Sequence, residues 1–71
     1  MPKRIRELKS LLLKAGFVCK SGKGSHTKWS HHLLAGKLTL SGKDSNDAKL
    51  YQEKDVYNAL QRLAKIEEKD Q

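Results

Sequence analysis

The place where this chain could do chemistry is a histidine that follows a glycine-rich basic turn: Lys20-Ser21-Gly22-Lys23-Gly24-Ser25-His26-Thr27-Lys28-Trp29. Imidazole both takes and gives a proton near neutral pH, and Lys20, Lys23 and Lys28 all lie within six residues of it. Cutting RNA without a metal ion needs activation of the ribose 2′-hydroxyl, stabilisation of charge on the phosphoryl oxygens, and protonation of the leaving 5′-oxygen. His26 can serve the first or the last of these, and the lysines can supply the second. Gly22 and Gly24 let backbone come close to phosphate, and turn N–H groups can form an anion-binding nest. The same residues could act as a passive phosphate clamp, so an endoribonuclease and a non-catalytic RNA-binding module both fit the pattern.

The other chemistry-bearing residues read as structural. Adjacent strand residues face opposite sides of a sheet, so His31 and His32 are not expected to chelate one ion, and no metal site is expected. His26 and His32 would share a face, but six residues at about 3.3 Å each set them about 20 Å apart. That is too far for a two-histidine acid–base pair. His31 is expected to be a half-buried packing residue and His32 a sheet-surface one. Trp29 is assigned to the core, and Tyr51 and Tyr57 to packing with wet hydroxyls. Asp44, Asp47, Glu53 and Asp55 match no calcium-loop spacing and alternate with Lys43, Lys49 and Lys54, so they read as a solvated loop and helix start.

At 71 residues the chain is expected to form a single domain over 1–71, with one thin core and no deep cofactor cleft. No cofactor is expected, and any site must be a surface or groove acting on an extended partner. The formal charge is +7, and it is uneven: residues 1–43 carry +9 and residues 44–71 carry −2. Such an excess around one turn favours a polyanion through counterion release. Cys19, the one cysteine, excludes an intrachain disulfide and a thiolate-rich metal site; it reads as a small, partly buried apolar residue. No apolar run suits a signal peptide or approaches the roughly 20 residues a bilayer requires. A cytoplasmic location with no membrane partner is expected.

The elements that must position His26 follow from periodicity. Ile5, Leu8, Leu11, Leu12 and Ala15 recur at helical spacing, predicting an amphipathic helix with Pro2 in its first turn and its end at Gly16. Residues 17–20 read as a short strand, 21–24 as a turn, 25–33 as a second strand and 37–41 as a third. The polar stretch 42–52 reads as a loop. From Glu53 a second helix places Val56, Ala59, Leu60, Leu63 and Ile66 on one face and frays near Glu67. This order predicts an α+β domain, a three-stranded antiparallel sheet with both helices on one face. Period-two geometry turns Trp29, Leu33, Leu38, Leu40 and Phe17 towards the helices. It leaves His26, Lys28, Ser30 and His32 on the open face, with Lys37 and Thr39 alongside.

The residues Leu11-Leu12-Leu13-Lys14-Ala15-Gly16-Phe17, then Gly24-Ser25-His26, the aromatic Trp29, the strand Leu38-Thr39-Leu40 and the closing helix from Glu53 together resemble the HicA family. These are small toxins, the RNA-cleaving halves of HicA–HicB toxin–antitoxin pairs, and the similarity runs roughly from Ile5 to Leu63. The resemblance implies a double-stranded-RNA-binding-domain-like fold, helix-strand-strand-strand-helix. It further implies an mRNA interferase that cuts single-stranded or structured mRNA without a bound metal. A cognate HicB-like antitoxin would cover the active surface, and DNA would be contacted only indirectly through that antitoxin. The histidine of Gly-Ser-His is the family's catalytic residue, and His26 holds the matching position, preceded by Gly24 and Ser25, which shape the turn and offer hydrogen bonds to phosphate. The chain departs from the commonest family pattern after the third strand. Residues 41–52 are longer and proline-free, where many members carry a proline- and histidine-containing connection.

Overall fold

Ile5, Leu8 and Leu12 fall one turn apart along the first helix, and all three are buried. They form its inner stripe, with Leu11 and Ala15 packed beside them. The structure, a computed structural model, describes residues 3–69. It comprises α1 (Ile5–Lys14), β1 (Val18–Ser21), β2 (Thr27–Ser30), β3 (Leu38–Leu40) and α2 (Leu50–Lys69). The three strands form one antiparallel sheet in the order β1-β2-β3. This is the α-β-β-β-α order of a double-stranded-RNA-binding-domain-like fold. The expected place of Pro2 lies outside the described residues.

The first helix ends as its sequence requires. Gly16 takes φ +94°, the left-handed conformation that L side chains avoid. The Phe17 N–H then donates to Leu12 O (3.0 Å) and the Gly16 N–H to Leu13 O (3.1 Å). Both bonds, with Phe17 and Leu12 in one apolar cluster, make a Schellman motif. Phe17 is thereby the capping residue and β1 begins one residue later than expected. The other end of α1 is satisfied from a distance. Its Ile5 and Arg6 N–H groups donate to Asn46 O (2.9 Å) and Asp44 O (3.2 Å), and Lys9 pairs with Asp44 at 2.6 Å. The stretch expected to be a solvated loop is therefore docked on α1, with a single antiparallel bridge between Arg4 and Asp47. Free helix-start N–H groups need acceptors, and these loop carbonyls supply them.

The second helix starts at Leu50, three residues before the expected point. Gln52, only 2% exposed, explains the earlier start: its Oε1 accepts from Lys49 N (2.8 Å), while its Nε2 donates to Ser41 O (3.0 Å). The buried amide caps the helix and ties it to the end of β3, and every side-chain polar atom it buries is partnered. Val56 and Leu63 continue the stripe into the core, and α2 runs past Glu67 to Lys69.

Trp29 sits at the centre. It pairs with Cys19 on one side and Leu38 on the other, is almost wholly buried, and donates its indole N–H to Thr27 Oγ1 at 3.0 Å. Core residues from both helices and from one face of the sheet form a single cluster around it. Trp29→Ala is expected to cost about 3–5 kcal/mol, the usual penalty for emptying an aromatic site. Chemical denaturation checks it, and a loss under about 1 kcal/mol would mean that the ring fills no core.

Candidate active site

The turn before His26 is built from glycine conformations and two backbone bonds. Gly22 N donates to His26 O (2.8 Å) and His26 N to Lys23 O (3.2 Å). Gly24 has φ +61°, and among the described residues no non-glycine residue has a positive φ, the sign pattern of a type II′ turn with glycine at its first central position. A Cβ on Gly24 would meet nothing within 4 Å, so its role there is conformational. A Cβ on Gly22 would stand 3.2 Å from His26 O and 3.6 Å from His26 Cβ. Glycine at 22 thus lets the two sides of the hairpin approach closely at His26. The turn takes in Ser25 and His26, the two residues expected to start the second strand, and β2 begins at Thr27.

Register decides which side chains accompany His26. Lys20 lies directly opposite Lys28, and Lys28 opposite Thr39; directly opposed residues share a face. One step beyond the strands, Gly22, two residues after Lys20, stands opposite His26, where its Cβ would lie 3.6 Å from His26 Cβ, which carries that face to His26. His26, Lys20, Lys23 and Lys28 are all exposed. Ser30 and Lys37 complete a small cleft of about 40 Å³ with Lys20 and Lys28, its floor reaching the edge of Trp29. Among the described residues, no carboxylate lies within ion-pair distance of these lysines; the ion pair found is Lys9–Asp44. Like charges set directly across a sheet repel one another. An anion seated between them would relieve that repulsion.

Ser25 does more than flank the histidine. Its Oγ accepts the Gly42 N–H at 3.2 Å, lashing the hairpin turn to the segment that follows β3. The hydroxyl keeps its own hydrogen to donate. The six residues singled out from sequence therefore sit on one hairpin, with Lys20 and Lys28 across from each other, Lys23 and Gly24 in the turn, and Ser25 and His26 leading into β2. Alternation puts Lys37 and Ser30 on this face but does not show that they close the cleft. The signal that does so is the strand register, which period-two patterning alone does not contain.

Several expectations need correction. The second strand ends at Ser30, not Leu33, because His31 folds back and accepts the Leu33 N–H at its Nδ1 (3.0 Å), turning the chain out of the sheet. His31 is buried against Phe17, and its ring stacks on His32 at 4.6 Å. In the turn the alternation that would separate the two rings no longer applies, and His32 leaves the sheet surface. No group of three or more metal-ligating side chains occurs among the described residues. Cys19 is exposed rather than partly buried, since it lies on an edge strand that no helix covers. Tyr51 and Tyr57 are 55% and 40% exposed on the outside of α2 rather than packed.

No helix among the described residues is long and apolar enough to cross a membrane. No significant match was found among curated proteins or solved structures. The family model described as the HicA toxin of bacterial toxin–antitoxin systems matches residues 5–64, a span that begins with α1 and includes the whole sheet and most of α2. With the strand order, the Schellman-capped first helix and the Gly-Ser-His turn all inside that span, the chain belongs to the HicA toxin family.

Proposed function

We propose that this toxin is an endoribonuclease, an mRNA interferase in which His26 moves the proton and Lys20, Lys23 and Lys28 hold the phosphate. The observation that carries the reading is the exposed imidazole leading onto a face where Lys20 and Lys28 oppose each other without a carboxylate partner. A histidine used for packing would resemble His31, which is buried and hydrogen-bonded. Among the described residues His26 is anchored through backbone bonds of the turn, which leaves its ring to meet substrate.

In the proposed reaction the ribose 2′-oxygen loses its proton and attacks the adjacent phosphorus. The P–O5′ bond breaks, and the leaving oxygen takes up a proton, giving a 2′,3′-cyclic phosphate and a 5′-hydroxyl end. His26 acts as general base in the first half or general acid in the second. The lysine ammonium groups bear the charge that grows on the non-bridging oxygens. These residue types cover two of the three services without a metal ion, and the remaining proton transfer falls to a second group, a lysine or the substrate itself. The open face would be silenced by a cognate HicB-like antitoxin that covers it, and the working place is the cytoplasm, where mRNA is found.

His26→Ala is expected to abolish RNA cleavage and growth arrest while changing folding stability by less than about 0.5 kcal/mol, the usual surface value. The parent enzyme should cut in excess chelator and leave cyclic phosphate ends. Undiminished cleavage by the variant, or products with 5′-phosphate ends, would reject the assignment. Salt-sensitive binding without scission by the parent would point to the non-catalytic RNA-binding module instead.

The lysines have their own signature. Lys20→Ala and Lys28→Ala should each weaken RNA binding and reduce the slope of log K against log salt by about 0.7 to 1 for each phosphate no longer neutralised. Slopes identical to the parent's would mean that the phosphates are held elsewhere.

A further inference from the structure

Behind the lysine cleft, where β3 faces α2, lies a second and far larger depression of about 520 Å³ that the proposed reaction leaves unused. That volume is in the range of small-molecule sites, roughly 300–1,000 Å³. Its lining mixes polar and apolar surface, with Leu34, Leu38 and Ala59, all partly buried, giving the apolar part. Its α2 wall carries Asp55, Asn58 and Arg62, spaced three and four residues apart and so forming one stripe of the helix. Lys37 and Trp29 line both this groove and the lysine cleft, so the two are neighbours.

The chemistry of the wall differs from that of the cleft. Three lysines with no carboxylate suit a phosphate and nothing more selective. Asp55 would repel a phosphate, but it accepts hydrogen bonds from amino and imino groups. Asn58 both donates and accepts, and the planar guanidinium of Arg62 can stack on or hydrogen-bond a ring. Apolar patches beside a mixed donor and acceptor wall are what an unstacked RNA base asks for, since single-stranded RNA is read by stacking and by hydrogen bonds to base edges.

We propose that the groove between β3 and α2 is a base-binding subsite, taking one flipped-out nucleobase of the RNA whose neighbouring phosphate lies among Lys20, Lys28 and Lys37. This rests on the endoribonuclease reading and adds a source of sequence preference to it. The phosphate cleft positions the strand, and the groove chooses the base. The side chains on its α2 wall stand on a regular helix, a rigid support for discrimination, whereas the catalytic histidine stands beside a turn.

The test uses short RNA oligonucleotides in which a single abasic nucleotide is walked along the chain, bound to the His26→Ala protein so that the strand stays intact. One position is expected where removing the base weakens binding about tenfold, within the range for loss of one stacked base. Asn58→Ala with Arg62→Ala, both exposed helix positions, should weaken the base-bearing oligonucleotide by a similar factor and leave that abasic one unchanged. Lys37→Ala should weaken both. Equal losses for the two oligonucleotides, or no loss, overturn the subsite while leaving the open-face reading standing. The subsite also falls if the double variant loses affinity for a co-expressed antitoxin and keeps its full RNA affinity. If the His26→Ala protein binds no RNA at all, both the subsite and the endoribonuclease reading fall.

Discussion

Burial of one ring sets the face on which every functional group of this protein appears. Trp29 is held between both helices and its neighbours on the sheet, with its indole N–H bonded to Thr27. In a strand, side chains alternate, so fixing Trp29 inward fixes Lys28 and His26 outward. A slip of one residue would send the tryptophan into water and the lysine into the core. Both outcomes are costly, since a buried aromatic contributes several kcal/mol and a buried unpaired ammonium costs more. The register is therefore the most strongly specified feature of the sheet, although β2 is only four residues long.

That short sheet carries charge repulsion of its own. Lys20 and Lys28 oppose each other, with Lys37 in the same cleft, and a fold selected for stability alone would place a carboxylate among them. The fold offsets this with ties made elsewhere. Ser25 joins the hairpin to the segment after β3, Gln52 joins β3 to α2, and the segment 44–48 caps α1. Each tie holds the rim of the sheet while, among the described residues, the open face is left without a carboxylate partner. Such a face suits a polyanion that arrives and leaves, because the relief of repulsion comes with the ligand. It equally suits coverage by an antitoxin, the partner that family membership implies.

Much of this was legible from residue order. Helical spacing in α1, the glycine that ends it, the alternation around Trp29 and the basic turn before His26 are all short-range patterns, and each marks its element directly. Residues that act across the chain were not legible. Gln52 reads as one more polar helix residue until its amide is seen bonded to Ser41, eleven positions away. Asp44 and Asn46 read as solvated until the first turn of α1 uses their carbonyls. His31 and His32 mislead for a related reason. Strand alternation does not extend past Ser30, where a side-chain bond from the Leu33 N–H to His31 ends the strand. In the site itself, residue types name the hairpin, but only register and packing join Lys37 and Ser30 to it and open the groove beside α2.

The central claim is that Trp29 faces inward and His26 meets the substrate, and one titration reads both. Side-chain nitrogen signals of the histidines and the tryptophan would be followed by NMR while an RNA oligonucleotide is added, under conditions where it is not cut. The account predicts that the His26 ring signals move, with the His31 signals largely unmoved and the Trp29 indole N–H still slow to exchange. A Trp29 indole that exchanges freely on RNA addition, with His26 unaffected, would contradict it.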